Sequence, residues 1–402
     1  MFDPTDPAFL DDPYPTFARL RADGPVHWHE GLGLYVAVAH AAADAVLRDR
    51  GLGRIWQDKE PAELFPAFNL LHRTSILESE PPTHTRLRRL VAGAFGRGHV
   101  ERLRPWIDTV AGRLVEDFAG RLDDSGPAAS ADLIEHVAEP LPVEVIAELL
   151  GVPAADRHLL RPWSNTIVKM YEYGLDDAGR ARAERASAEF VAYLRDLVAE
   201  RRARPWEGDL GADLVTDLVA ASDGEDRLSE DEIVGTCVLL LMAGHEASVN
   251  VVGNGVFALL QHPDQWRALT AGAPVAPAVE ELLRYDSALQ LFERTATRDV
   301  ELAGTTVRAG QKVAALLGAA NRDPAVFERP DDLDVTRERN PHIAFGSGIH
   351  FCLGAPLARV EIQSVLGHLA ARLPGLHLDR VPPRRPEFVI RGLRELPVRH
   401  AG

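Results

Sequence analysis

One short stretch of this sequence contains residue types that could bind a metal. The residues from 345 to 354 read Phe-Gly-Ser-Gly-Ile-His-Phe-Cys-Leu-Gly, and they include one of only two cysteines in 402 residues. A helical pattern begins just after Cys352, with Pro356 near its first turn, where the missing N–H costs nothing. A cysteine at a helix N-terminus meets the positive end of the helix dipole, which favours the thiolate. The stretch therefore predicts a thiolate ligand of the kind that binds haem iron.

Other interpretations of Cys352 start from the same residues. A lone cysteine is often a small buried hydrophobic residue, and it could also be a nucleophile with His350 as its base. Two distant cysteines do not form a zinc ligand set. The second cysteine, Cys237, lies in an apolar helical pattern and is predicted to be a packing residue. Local chemistry alone leaves the haem-ligand, packing and nucleophile alternatives open.

Composition restricts the class of protein. Apolar residues make up 46% of the chain and charged residues 26%, as in soluble globular proteins. The net charge of −16 disfavours nonspecific binding to nucleic acid or to an anionic membrane. Two cysteines exclude a disulfide framework and predict a reducing cytoplasm. We find neither a signal-peptide pattern nor an uncharged apolar stretch long enough to span a membrane.

The hydrophobic pattern predicts the elements that position these residues. A length of 402 residues favours two domains by default. A hairpin is predicted at 26–38, an irregular segment at 51–80 and strands within 288–320, and a second hairpin at 388–393. The predicted helices cover 13–22, 41–47, 100–122, 130–150, 154–173, 178–203 and 229–260.

The longest predicted helix contains a polar interruption. Ser229 and Glu232 form a capping box, and about thirty residues give roughly 45 Å of mostly apolar helix. Midway, residues 243–248 read Ala-Gly-His-Glu-Ala-Ser. Polar residues in the middle of a buried helix are typical of functional sites, although a solvent-facing turn is the alternative.

Two further pairs of residues have spacings that place their side chains next to each other on a helix. His84 and Arg88 are four apart and share one helix face, so they could bind carboxylates or could simply be solvated. Glu281 and Arg284 are three apart, a spacing that on helix surfaces gives common and weak ion pairs.

The pattern F-G-x-G-x-H-x-C-x-G at residues 345–354 resembles the cysteine-ligand loop of the cytochrome P450 family, the haem-thiolate monooxygenases. The resemblance extends from about Asp12 to Val398 and is to the soluble bacterial type. It implies one domain over 1–402, mainly α with small β-sheets and a small β-rich N-terminal part. In this fold haem b lies between the long helix and the cysteine loop.

The resemblance also implies roles for individual residues. Cys352 is the iron ligand, and the residues that bind the haem carboxylates are His84, Arg88, Arg294 and His350. Glu281, Arg284 and Arg337 form a buried structural ion pair network behind the cysteine loop. The substrate pocket includes Leu240, Ala243, Gly244, Leu289, Leu291 and Ile390, and the segment 51–80 lies over it.

The implied reaction inserts one oxygen atom of O₂ into a C–H bond or a double bond of a small molecule. A polyketide, macrolide, terpene or peptide-derived secondary metabolite is the expected substrate. The sequence has no flavin or iron–sulfur motif, so electrons from NAD(P)H are expected through a separate ferredoxin reductase and ferredoxin. Arg97, Arg102 and Arg359 are predicted to form the ferredoxin docking site of a cytoplasmic monomer.

One residue departs from the family pattern. The family usually has A-G-x-[DE]-T-[ST] in the long helix, and its threonine helps to deliver protons for oxygen activation. Here Ala247 replaces that threonine, while Glu246 and Ser248 remain as catalytic candidates. Ser248 is about 100° further round the helix, so we expect a substrate hydroxyl with an ordered water to replace the threonine. A haem-based ligand sensor, a peroxide-driven haem oxidase and a thiol hydrolase stay open as alternatives.

Overall fold

The computed structural model of the protein describes residues 1–92, 97–124, 130–204, 207–208, 211–220 and 228–401. These residues form two compact units. The first unit comprises Met1–Gly53, Trp106–Leu141 and Ala247–Gly402, and the second comprises Arg54–Pro105 and Pro142–Glu246. The long helices α6 (Arg97–Asp124) and α11 (Glu230–Gln261) contribute residues to both units. The structure confirms the predicted class, mainly α with small β-sheets.

A five-stranded sheet lies in the first unit, and it joins an N-terminal hairpin to strands from later in the chain. Its strands are β1 (Val26–His29), β2 (Leu34–Ala37), β3 (Leu52–Gly53), β7 (Leu291–Ala296) and β10 (Lys312–Leu316). Their order in the sheet is β1-β2-β10-β7-β3. The hairpin predicted at 26–38 is present, and β10 pairs in parallel with β2 and antiparallel with β7.

The rest of the first unit is helical, with short antiparallel pairs of strands. Its helices are α1 (Pro7–Asp11), α2 (Tyr14–Asp23), α3 (His40–Arg48), α12 (Pro263–Thr270), α13 (Val275–Tyr285), α14 (Leu317–Ala320) and α15 (Ala355–Arg372). Its other strands are β4 (Ala131–Asp132), β8 (Val300–Leu302), β9 (Thr305–Val307), β11 (Leu376–Leu378) and β12 (Pro397–His400).

The second unit is almost entirely helical. Its elements are α4 (Pro66–Arg73), α5 (Thr83–Val91), most of α7 (Pro140–Leu150), α8 (Arg157–Ile167), α9 (Asp177–Ala203), α10 (Leu214–Ala220), β5 (Glu207–Gly208) and β6 (Gly211–Ala212). Buried apolar residues of α9 such as Phe190, Leu194 and Val198 recur at helical spacing and give this long helix its core face.

Helix α11 begins and ends where the sequence predicts. Its N-terminal capping box is formed, because the Glu232 N–H donates to Ser229 Oγ at 3.2 Å and the Ser229 N–H donates to Glu232 Oε2 at 2.8 Å. In the described part of the chain α11 is the one helix that is long and apolar enough to cross a membrane. Its most apolar window is 72% buried within the fold, as in the core helix of a soluble protein.

Two predicted segments differ from the structure. The segment 51–80 is not wholly irregular, because a 3₁₀ turn at Ala62–Leu64 and α4 lie within it. The N–H groups of Ala67 and Phe68 at the start of α4 donate to the Glu184 carboxylate of α9 at 2.8 and 3.0 Å. This cap comes from a residue more than a hundred positions away, so local sequence could not reveal it. The helix predicted at 130–150 is divided, since a π-helical turn at Ile134–Ala138 precedes α7, which begins at Pro140.

Candidate active site

The cysteine loop leads into helix α15. A 3₁₀ turn at Gly348–His350 precedes Cys352, and the Cys352 N–H donates to the Phe345 carbonyl oxygen at 2.9 Å. Gly348 has φ +70°, and a Cβ there would lie 2.5 Å from the Leu47 carbonyl oxygen, so this close approach requires glycine. Cys352 is half-buried and lies three residues before Ala355, the first residue of α15.

Helix α11 has an open face midway along its length. Ala243 is exposed, and Gly244 and Ala247 are half-buried, although most of their neighbours on the helix are buried. These three residues have the smallest side chains, so the helix backbone is accessible to a flat group. Within the first unit, the small half-buried Ala247 and the half-buried Cys352 are compatible with a haem. In the described residues, no three His, Cys, Asp or Glu side chains cluster as ligands of another metal.

A hydrogen bond joins α11 to α15 within the first unit. Ser248, which follows Ala247, donates to the carboxyl group of Glu361, which lies nine residues after Cys352. Both residues are buried, and one oxygen of Glu361, Oε2, has no hydrogen-bond partner. Burial raises the pKa of Glu361 to about 8, so its carboxyl group holds a proton at neutral pH. The bond fixes the direction of the Ser248 hydroxyl toward α15.

The residues predicted to bind the haem carboxylates fall in both units. Arg294 of β7 is 4% exposed, and its Nη1 donates to the Glu293 carbonyl oxygen at 2.8 Å. His350 is half-buried in the cysteine loop, in the same unit as Arg294. His84 and Arg88 belong to α5 of the second unit and lie one turn apart on one face, His84 buried and Arg88 half-buried.

The residues predicted to contact substrate are also divided between the two units. Leu289 and Ile390 form an antiparallel bridge in the first unit, and both are half-exposed. Leu291 is buried in β7 opposite Leu316. Leu240, Ala243, Gly244 and the buried Glu246 lie on the part of α11 that belongs to the second unit.

A buried ion pair lies behind the cysteine loop. Glu281 and Arg284 of α13 have fully buried side chains, joined by two hydrogen bonds of 2.7 and 2.8 Å. Arg337 Nε donates to Glu281 Oε2 at 3.0 Å. The Asn340 amide donates to the same oxygen at 3.1 Å. Arg284 also donates to the backbone carbonyl oxygens of Asn321, Pro330 and Asp332, so this pair determines the path of the chain before the loop.

Arg359 of α15 is engaged in a second ion pair that the sequence did not reveal. It donates to both carboxylate oxygens of Glu280 at 2.6 and 2.7 Å, and its guanidinium stacks on Phe345 at 4.6 Å. Although burial alone would raise the pKa of Glu280, hydrogen bonds from Arg359 and His342 lower it to about 2. Arg359 is thus a support of the cysteine loop, and its charge is neutralised by Glu280. Of the other predicted docking arginines, Arg102 is exposed, and the side chain of Arg97 lies outside those described.

Two acidic residues of this site were missed in the sequence. Glu361 interrupts the apolar pattern of α15 between Val360 and Ile362, and this position could have drawn attention to it. Glu280 precedes Glu281 and had no distinguishing signal, because its partners are distant in sequence. Cys237, in contrast, is fully buried as predicted, and burial raises the pKa of its thiol to about 12.

Comparison with known proteins identifies the family. The sequence matches the description Cytochrome P450 over residues 164–271 and 275–383. The chain therefore belongs to the cytochrome P450 family, and it is a P450 monooxygenase of the bacterial type. The predicted resemblance is confirmed, and membership of this family implies a haem cofactor, a small-molecule substrate and a redox partner.

Several relatives match nearly the whole chain. Cytochrome P450 monooxygenase PikC of Streptomyces venezuelae is 41% identical over 97% of this chain and 92% of its own length. The 6-deoxyerythronolide B hydroxylase of Saccharopolyspora erythraea is 37% identical over 98% of each chain. The crystal structure of P450BioI in complex with a hexadec-9Z-enoic acid ligated acyl carrier protein has a TM-score of 0.91 at 33% identity, covering 98% of this chain and 99% of that one.

Proposed function

We propose that this protein is a haem-thiolate monooxygenase that hydroxylates or epoxidises a secondary metabolite such as a polyketide, macrolide or terpene. The main observation in support is the half-buried Cys352 just before α15. Helix α15 is joined to α11 beside Ala247 by the hydrogen bond from Ser248 to Glu361. Relatives named for 6-deoxyerythronolide B, nocardicin C and vitamin D(3) support a substrate of this size and class.

The cofactor of this proposal is haem b. When bound, it supplies the oxidation chemistry, and a thiolate ligand favours O–O cleavage. Cys352 would hold the iron. His84, Arg88, Arg294 and His350 would hold the two carboxylates, because arginine and histidine provide charged donors for them. The Glu281–Arg284 pair and the Arg359–Glu280 pair keep the cysteine loop in place.

Electrons would come from NAD(P)H through a ferredoxin reductase and a ferredoxin, to a cytoplasmic monomer. The absence of a flavin or iron–sulfur motif from the sequence supports separate carriers. Arg102, on the exposed surface of α6, is the remaining described candidate from the predicted docking site. Arg359 is a weaker candidate because Glu280 already binds its guanidinium.

Proton delivery is the feature in which this chain departs from its family. The methyl group of Ala247 can neither donate nor accept a hydrogen bond. Ser248 does not replace the missing threonine directly, because its hydroxyl donates to Glu361. Glu361, protonated at neutral pH, holds a proton on a buried carboxyl group next to α11. We infer that a substrate hydroxyl and an ordered water complete the path at Ala247, with Ser248 and Glu361 behind them.

Replacing Ala247 with threonine tests this arrangement. The measurement is product formed per NAD(P)H consumed, for the true substrate and for an analogue that lacks the hydroxyl nearest the oxidised carbon. We expect the wild type to be tightly coupled on the substrate and several-fold less coupled on the deoxy analogue. The A247T variant should recover part of the lost coupling, since threonine restores a hydroxyl donor at this position. Equal, tight coupling of the wild type on both compounds would rule out substrate assistance.

The carboxylate clamps give a second prediction. His84→Ala or Arg88→Ala should weaken haem binding by about 2 kcal/mol, roughly thirtyfold, because a partly buried carboxylate loses a charged partner. The rate of haem transfer to apomyoglobin measures this loss. Arg89→Ala is the matched control, since Arg89 is exposed on the same helix, off the His84 face. If the double variant releases haem at the wild-type rate, α5 does not hold the carboxylates.

Turnover distinguishes the proposed function from its alternatives. The purified protein is first screened with a library of macrolides, polyketides and terpenes for compounds that shift the haem absorption band. Each binder is then incubated with NADPH, ferredoxin, ferredoxin reductase and ¹⁸O₂. A monooxygenase gives product with one labelled oxygen atom. Product from hydrogen peroxide alone would indicate a peroxide-driven oxidase, binding without any product a sensor, and a colourless protein a hydrolase.

A further inference from the structure

We propose that residues 2–14 act as an N-terminal strap that positions Ile390 and thereby determines substrate selectivity. The positioning residues are Phe2 of the strap and Arg391, which donates hydrogen bonds to the strap. The inference rests on the proposed function, because it needs Ile390 to line the substrate pocket. All the contacts that support it lie within the first unit.

An aromatic cluster packs the strap against the C-terminal hairpin, residues 384–393, whose ends are joined by the antiparallel bridge between Arg384 and Leu393. The ring of Phe388, a buried residue, lies 5.4 Å from the ring of Phe2 and 5.3 Å from that of Phe9. Phe2 and Phe9 stack on each other at 4.6 Å. The carbonyl oxygen of Phe2 lies 2.8 Å from His29 Nε2, which fixes the backbone before the first helix. The position of Phe388 therefore depends on aromatic contacts with the strap.

A buried polar clamp holds the other end of the same hairpin. Arg391 Nη2 donates to the Asp11 carbonyl oxygen at 2.8 Å, and its Nη1 donates to that of Leu10. Its Nε donates to Asp286 Oδ1 at 2.8 Å, and the Tyr14 hydroxyl donates to the same oxygen at 2.7 Å. Arg391 and Asp286 are about 95% buried, so neither group can exchange its partners for water without cost.

Ile390 lies between these two attachments. It is half-exposed, whereas Phe388 and Arg391 are buried. Its antiparallel bridge to Leu289 and the hydrogen bond from the Arg391 N–H to the Ala288 carbonyl oxygen, 2.7 Å, place it beside the segment that leads into β7. The strap thus fixes Ile390 through its neighbours Phe388 and Arg391. A fixed side chain lowers the ordering cost when a bulky ligand binds.

The experiment compares two iron-binding probes of different size in the holoenzyme. Imidazole is a single small ring, whereas clotrimazole carries three phenyl rings, and both are titrated by the shift of the haem absorption band. In Phe2→Ala we expect clotrimazole to bind about three- to tenfold more weakly, because the aromatic contact with Phe388 that positions the hairpin is lost. Imidazole should bind within about twofold of the wild type. Phe2→Leu, which keeps apolar contact, should be intermediate.

Trp28→Ala is the matched control. Trp28 is another aromatic residue of the first unit, 40% exposed, and its ring packs on Tyr35. It should leave both affinities unchanged. Hydrogen exchange of the resting holoenzyme adds a readout without a ligand: amides within 386–393 should exchange about threefold or more faster in Phe2→Ala than in Trp28→Ala.

Three results would contradict the proposed role of the strap. Unchanged affinities for both probes in Phe2→Ala would show that the strap does not affect selectivity. Equal weakening of both probes would show a general structural effect. Unchanged exchange of residues 386–393 would show that Phe2 does not hold the hairpin. A wild type whose spectrum imidazole fails to shift would instead contradict the haem site itself, and with it the selectivity claim.

Discussion

Replacing Cys352 with serine is expected to lower monooxygenase turnover by at least about a hundredfold, equivalent to about 3 kcal/mol of activation free energy. A serine hydroxyl does not supply the electron density of a thiolate, on which O–O cleavage depends. The measurement is labelled product formed from ¹⁸O₂ with NADPH, ferredoxin and ferredoxin reductase. Haem content is determined in the same samples, so that loss of cofactor is separated from loss of chemistry.

Cys237→Ala is the control for this experiment. It removes the other thiol of the chain, which is fully buried in α11 and has its pKa raised to about 12. We expect the C237A variant to keep most of the wild-type turnover. A Cys352→Ser variant with full haem content and more than half of the wild-type turnover would refute Cys352 as the ligand.

Removing Arg284 is expected to cost about 3–5 kcal/mol of folding stability, because Arg284→Ala leaves the fully buried Glu281 carboxylate without its main partner. Three backbone carbonyl oxygens lose a donor as well. The midpoint of urea unfolding, followed by haem absorbance and by circular dichroism, reports both the fold and cofactor retention.

Arg298→Ala is the matched control for the buried pair. Arg298 forms an ion pair with Asp49 in the same unit, but its side chain is 63% exposed. Exposed ion pairs contribute little, so we expect a change within about 0.5 kcal/mol. If Arg284→Ala were no more damaging than Arg298→Ala, the pair would not support the cysteine loop.

The sequence predicted those parts of the protein that depend on local pattern. The limits of α11 followed from its capping box and its long apolar run. The cysteine loop and its helix were evident from spaced glycines, one cysteine and a proline at the first turn. Local sequence did not predict α4, because the N-terminus of this helix is capped by Glu184 from α9.

The parts that escaped prediction depend on residues far apart in the chain. Nothing in the sequence near Ser248 indicates that its hydroxyl bonds to Glu361, more than a hundred residues later. The positive charge of Arg359 suggested a docking residue. Only its hydrogen bond to Glu280 shows that it supports the cysteine loop. The contact between Phe2 and Phe388 joins the two ends of the chain. Such contacts follow from tertiary packing, which a single sequence does not encode in any local pattern.

The reduced carbon monoxide complex of the purified protein tests the central claim most directly, because its Soret position reports the ligand opposite the gas. We predict that the wild type gives the long-wavelength Soret band of a thiolate-ligated haem and that Cys352→Ser loses it. A wild-type protein that binds haem but lacks the band, or a Cys352→Ser variant that retains it, would contradict the account.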